Sequence, residues 1–202
     1  MKIHGDVLSP FVRMCLVTAH EAGLADKVSL VQTNARMTEV NKDLEKLSPI
    51  GKIPVLITDH DHAIHDSRVI MEYLAHISGR SDLIPDDGVK RFSVLTLQAT
   101  AIGAAEAAVA LRYEQALRPE AMRWPDYQHR LKARILAALD EVEKSWIKSL
   151  EHVSVASIAL ACALGYVDFR HGILNWCDGR PKLAAFERDF ANRPSMKAWP
   201  LA

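Results

Sequence analysis

Ser48-Pro49-Ile50-Gly51-Lys52-Ile53-Pro54-Val55-Leu56, with His65-Asp66-Ser67-Arg68 beginning nine residues after Leu56, is the most informative stretch of this chain. Gly51 supplies a flexible turn, and Pro54 stands just ahead of the apolar run Val55-Leu56-Ile57. A proline there removes a ladder donor and can be cis. A cis Ile53–Pro54 bond aims the Ile53 backbone N–H and C=O away from the sheet, where an extended peptide-like ligand pairs with them as a short extra strand. Asp66 and Ser67 stand where a strand gives way to a helix. They offer one carboxylate, one hydroxyl and free backbone N–H groups, which suits the head group of an amino acid. The two segments together describe a site for a small molecule.

Upstream, residues 1–5 read as a strand, and Ser9-Pro10 reads as an N-cap followed by proline at the first helical position. Phe11, Val12, Cys15, Leu16 and Ala19 then keep helical spacing as far as Gly23, a C′ stop. Val28-Ser29-Leu30-Val31 is the next strand, so strand, helix and strand make a right-handed βαβ unit. Short strands over 55–58 and 63–65 flank the turn Asp59-His60-Asp61-His62, and Val69, Ile70, Tyr73, Leu74 and Ile77 mark a helix over 67–77. The order βαβ then ββα predicts a thioredoxin-like domain over residues 1–78. Residues 79–88 have the Gly, Ser, Asp and Pro composition of a linker. Residues 89–202 predict an all-helical domain, with helices over 89–118 and 127–151, a small-residue stretch over 101–108, and a last helix from Pro181 to about Arg193. The segment from Ser154 is apolar on every side (Ile158, Leu160, Cys162, Leu164, Val167), which predicts the buried centre of a helical bundle.

These motifs resemble the cytosolic glutathione transferases. Ser9-Pro10-Phe11-Val12-Arg13 is similar to the Ser-Pro-x-x-Arg start of bacterial members with serine at the active-site position, and residues 154–170, ending Ala-Leu-Gly-Tyr-Val-Asp-Phe-Arg, look like the central helix of many of them. The resemblance implies a dimeric enzyme that joins the glutathione thiolate to a small apolar electrophile, with Ser9 as the catalytic residue. It implies that Ile53, beside cis-Pro54, pairs with the cysteinyl part of glutathione, that Asp66 and Ser67 hold its γ-glutamyl end, and that Lys52 lies near its glycyl carboxylate. It places an electrophile pocket among Val7, Leu8, Glu106, Arg112 and Tyr113. Glutathione is the co-substrate and no metal is implied. The same motifs fit a glutathione-dependent isomerase, dehalogenase or ether-cleaving enzyme, or a non-catalytic binding protein of this fold. Two positions depart from the family. Ile102 stands where many relatives carry Asp, and Ser157 stands where the central helix usually has Asp. A serine hydroxyl reaches less far back to the cap N–H than a carboxylate, which predicts a capping box weaker by about 1 kcal/mol.

The chemistry asked of Ser9 is limited. A free thiol with a pKa of about 8.5 is only a few per cent thiolate at pH 7, and lowering it by two units takes about 2.7 kcal/mol. One hydroxyl donor and the positive end of the helix after Pro10 can supply that. The plain alternative is that Ser9 spends its side chain capping its own helix. Cys15, the rival nucleophile, lies in the helix body and reads as a small core residue. Asp59, His60, Asp61, His62, His65 and Asp66 carry metal-ligand types, but strand alternation splits neighbours between faces, so a polar turn is the reading.

Composition limits the partners. Of 202 residues, 49% are hydrophobic, and 25 basic residues balance 25 acidic ones, so no global field draws nucleic acid or an anionic membrane. The apolar run over 155–167 is shorter than the roughly 18–20 residues of a spanning helix, and the first six residues are not a signal peptide. These features predict a cytoplasmic protein. Cys15, Cys162 and Cys177 are odd in number with no Cys-x-x-Cys spacing, which predicts reduced thiols.

Overall fold

The computed structural model describes residues 1–201. The chain forms two compact units, Met1–Asp86 together with the chain from Pro194 onward, and Asp87–Arg193.

In the first unit, β1 (Lys2–Gly5), α1 (Pro10–Glu21), β2 (Ser29–Gln32), α2 (Lys42–Leu47), β3 (Val55–Ile57), β4 (Ala63–His65) and α3 (Ser67–Ile77) follow in sequence. The sheet order is β2-β1-β3-β4, with β1 parallel to β2 and antiparallel to β3, and β3 antiparallel to β4. This is the thioredoxin-like arrangement, with α1 and α3 packed together. Ile3, Val55 and Leu56 from the sheet and Val12, Leu16, Ile70 and Leu74 from the two helices are almost completely buried. Gly23, at φ +70°, ends α1 in a Schellman motif: its N–H donates to the His20 carbonyl at 3.0 Å and the Leu24 N–H to the Ala19 carbonyl at 2.8 Å. The sequence reading omitted α2. Its Asn41 side chain accepts from the N–H groups of Asp43 and Leu44 at 3.2 and 3.1 Å, a cap whose helix is too short to show periodicity.

The last segment departs from the expected division at residues 89–202. From α8 (Pro194–Lys197) onward the chain groups with the first unit. Buried Arg13 on α1 donates from Nε to the Trp199 carbonyl at 2.8 Å, and the Ser195 hydroxyl donates to the Glu21 carboxylate at 2.5 Å. The arginine of the Ser-Pro-x-x-Arg motif thus holds the C-terminal segment rather than pointing to solvent.

The second unit is helical: α4 (Gly88–Ala116), α5 (Pro125–Glu141), α6 (Val155–His171) and α7 (Pro181–Ala191). By length and mean hydropathy (1.6 over its most apolar window) α4 would suffice to cross a membrane, but half of that window is buried inside the protein. Its buried residues include Ala101, Ala104, Ala105, Ala107 and Ala108, whose small side chains let α5 and α6 come close. α6 is buried on all sides through its first ten residues. Ser157 closes the capping box despite its short reach. Its Oγ accepts the Ser154 N–H at 2.8 Å, while the Ser154 Oγ accepts the Ser157 N–H at 3.3 Å. The expected weakness is therefore not found. The Ser157 hydroxyl also donates to the Ser154 carbonyl at 3.0 Å, a bond a carboxylate cannot make. Where α7 begins, Arg180 pairs with Asp140 at 2.6 Å and donates to the Trp176 carbonyl at 2.8 Å.

Candidate active site

The strand register brings the separated motifs together. His4 on β1 is opposite Val55 on β3, which is opposite His65 on β4. Because β3 runs antiparallel to its neighbours, the end of β1, the start of β3 and the end of β4 lie at one end of the sheet. The β1–α1 turn with Ser9, the residues Ile53 and Pro54, and the pair Asp66 and Ser67 all leave from that end. α1 and α3 both begin there, so each presents the unsatisfied N–H groups of its first turn.

Asp6 shapes the β1–α1 turn. Its Oδ1 accepts the Leu8 N–H at 2.9 Å and its carbonyl accepts the Ser9 N–H at 2.9 Å. Sequence reasoning passed over Asp6, although an Asp three residues before an N-cap is a readable turn signal. Gly5 is required just before the turn: a Cβ on it would lie 2.5 Å from Val12 Cγ2. Half-buried Ser9 occupies the N-cap position in extended conformation (φ −76°, ψ 124°), yet its side chain makes no capping bond. The plain alternative, a hydroxyl spent on its own helix, is not what the geometry has.

The Ile53–Pro54 bond is cis. Ile53 precedes the β3 ladder, and among the described residues no backbone hydrogen bond engages its N–H or C=O. Lys52 is exposed. Asp66 has φ +73°, and its Oδ1 accepts the Arg68 N–H at 2.8 Å while Oδ2 lies 3.5 Å from the Arg68 guanidinium. It caps α3 with one oxygen and is itself exposed. Ser67 is buried. Cys15 is completely buried inside the first unit, and its thiol donates to the Ser67 carbonyl at 3.8 Å, the setting of a core thiol. Asp59 pairs with the N-terminal amino group at 2.7 Å, which with the charges of His60 and Lys27 holds its carboxyl below the usual range.

Among the expected electrophile-pocket residues, Val7 and Leu8 are half-buried on the β1–α1 turn of the first unit. Glu106, Arg112 and Tyr113 belong to α4 in the second: Glu106 is exposed, Arg112 and Tyr113 are half-buried, and burial pushes the Tyr113 phenol up. Ile102 is a fully buried core residue.

Residues 8–77 match the family described as glutathione S-transferase, N-terminal domain, and residues 104–188 match glutathione S-transferase, C-terminal domain. The chain is 31% identical over 200 residues to the uncharacterized GST-like protein YibF of Escherichia coli (strain K12), an alignment covering 97% of this chain and 96% of that protein. A glutathione transferase family member from Pseudomonas fluorescens Pf-5, solved with bound glutathione, is 38% identical with a TM-score of 0.95 over 99% of both chains. A Pf-5 structure with bound S-(propanoic acid)-glutathione is 37% identical with a TM-score of 0.89 over 100% of both. With both halves matched and the resemblance to YibF running almost end to end, this chain belongs to the glutathione S-transferase family.

Proposed function

We propose that this protein is a glutathione transferase whose first unit binds the tripeptide and whose Ser9 stabilises its thiolate. The observation that carries the reading is the convergence at one sheet end of a Ser9 hydroxyl that makes no capping bond, an Ile53 backbone that no backbone hydrogen bond engages among the described residues, and the start of α3 at Asp66 and Ser67. Ile53 pairs with the cysteinyl residue of glutathione as an added strand. Ser67 and the α3 N-terminus take the γ-glutamyl carboxylate, the outer oxygen of Asp66 takes its amino group, and Lys52 approaches the glycyl carboxylate.

In the reaction the bound S–H gives its proton to solvent, and the sulfur lone pair attacks the electrophilic carbon. In a displacement the leaving group departs with the bonding electrons. In an addition the resulting carbanion takes a proton from water. Ser9 donates one hydrogen bond to the thiolate and needs no base beside it, because its task is electrostatic. Structures of one family member from Pf-5 hold glutathione and S-(propanoic acid)-glutathione, which supports conjugation at sulfur for this chain as well. The working form is a cytoplasmic homodimer, as is common in the family.

The test is ultraviolet difference titration of bound glutathione from about pH 5 to 9, in the wild type and in Ser9→Ala. The bound thiol ionises at least about one unit below the free thiol, the shift is lost in Ser9→Ala, and kcat/KM falls about a hundredfold. Binding without a shift makes the protein a glutathione carrier. Activity that survives Ser9→Ala intact assigns the thiolate to another donor.

A further inference from the structure

Ser9 is held by its backbone on both sides. Its N–H donates to the Asp6 carbonyl at 2.9 Å, and its carbonyl accepts the Arg13 N–H at 3.0 Å, the bond that closes the first turn of α1. With both backbone groups engaged and no capping bond from the hydroxyl, the place of the Ser9 side chain is decided by what fixes that first turn.

Arg13 fixes it from outside the helix. Its side chain is buried, and its guanidinium reaches the C-terminal segment of the same unit: Nε donates to the Trp199 carbonyl at 2.8 Å and Nη2 to the Met196 carbonyl at 3.5 Å. Among the described residues no carboxylate pairs with it. Both features run against local preference. A guanidinium taken out of water without a carboxylate is costly, and a cation in the first turn of a helix opposes the macrodipole. A leucine would avoid both costs. What the arginine adds is reach, because one side chain ties the turn that starts at Ser9 to two carbonyls of a single distant segment. Broken local rules of this kind collect where a site has to be held in place.

The same segment grips the far end of α1. The Ser195 hydroxyl, on a completely buried residue, donates to the Glu21 carboxylate at 2.5 Å. Arg13 and Glu21 are eight residues apart, which is about 12 Å along a helix. α1 is thus fastened at two points to one piece of chain, and turning or sliding it over the sheet breaks one bond or the other.

We propose that Arg13 is a positioning residue for Ser9: through its guanidinium the segment beginning at Pro194 sets the first turn of α1, and with it the hydroxyl and first-turn N–H groups that meet the thiolate. The meeting with a thiolate rests on the transferase reading; the fastening of the turn does not.

The experiment compares the full chain as wild type, Arg13→Lys, Arg13→Gln and Ser195→Ala by two readouts. The first is the ionisation of bound glutathione together with kcat and KM. Arg13→Lys keeps the charge and loses the fork, so it is expected to raise the ionisation midpoint by about half a unit, about threefold less thiolate at neutral pH, and to lower kcat about tenfold at nearly constant KM. Arg13→Gln is expected to do at least as much and Ser195→Ala less. The second readout needs no glutathione. Ser9→Cys is placed in each background, and alkylation of residue 9 by iodoacetamide is followed against pH by mass spectrometry of the peptide that carries it. A thiol at a helix start is acidified by the first turn, and its midpoint is expected to rise by the same amount in Arg13→Lys. A wild-type profile in Arg13→Lys assigns any effect to charge alone and overturns the positioning role. A lowered denaturation midpoint with unchanged thiol ionisation in both Arg13 variants overturns it too, since that is what a merely structural arginine gives. If the wild type does not bind glutathione, the transferase reading fails by itself and the alkylation profile decides: a midpoint displaced in Arg13→Lys upholds the fastening of the turn, and an unmoved one overturns it.

Discussion

The two units assemble their polar groups by different means. In the first, the groups that matter are backbone N–H and C=O groups and short side chains at strand ends and helix starts, and the sheet register alone brings them together. In the second, they are side chains carried on helix faces, and it is helix packing that brings a group such as His171 on α6 to the Ala108 carbonyl on α4. A site of the first kind is punctuated in sequence, because turns, caps and a cis proline need particular residues. A site of the second kind is not, because any arginine on a helix looks like a solvated one until its neighbours are known.

The largest effect that separates the two is expected at Gly5. A methyl there meets Val12 Cγ2 at 2.5 Å, and both residues are buried in the packing that seats α1 on β1. Gly5→Ala is expected to destabilise the protein by about 2 kcal/mol, the usual size of an overpacking strain, and to weaken glutathione binding because the β1–α1 turn carries Ser9. Val12→Ala opens room for the added methyl, so the double variant is expected to be more stable than the sum of the single effects by about 1 kcal/mol. Chemical denaturation of the four proteins measures this. Additive losses would show that the turn yields at no cost and that the site does not depend on that contact.

Legibility in the sequence follows the same division. Ser9, Ile53, Pro54, Asp66 and Ser67 stand out from motif and spacing, and the register brings these distant segments to one end of the sheet. The two-unit layout was readable because hydrophobic periodicity changes after the linker. Hidden from it were the contacts that depend on tertiary placement. Arg13 could be read as part of a motif, but nothing local announces that its guanidinium reaches the Trp199 carbonyl 186 residues away. α6 was read as apolar on every side, which is true of its first ten residues and conceals the polar end at Tyr166, Arg170 and His171. The capping box was misjudged for a physical reason: side-chain length was weighed, while the buried hydroxyl's ability to accept and donate at once was not.

That hydroxyl gives the next smaller effect, now in the second unit. Ser157→Ala removes the acceptor of the Ser154 N–H and leaves that donor buried. The expected cost is about 1 kcal/mol, read by denaturant midpoint, with no change in the affinity for glutathione. If binding weakens as much as stability, the two units are coupled more tightly than their separate construction implies.

The smallest effect is a pH dependence, and in the second unit it belongs to buried His171. Burial chiefly lowers the pKa of His171 below its ordinary value of 6.5, and the charges of Arg112, Arg170 and Lys132 lower it further, against the opposing bond to Ala108. The unfolded chain therefore takes up a proton near pH 6.5 that the folded protein refuses until lower pH, so this group's contribution to stability is whole above that value and is lost as pH falls toward the lowered folded pKa. The effect is small because the bond to the Ala108 carbonyl favours the protonated ring and works against burial. His171→Gln is expected to flatten that part of the stability profile while His4, whose pKa is also lowered, keeps its own. Identical slopes in the wild type and in His171→Gln would break the association between this helix contact and the pH dependence of stability.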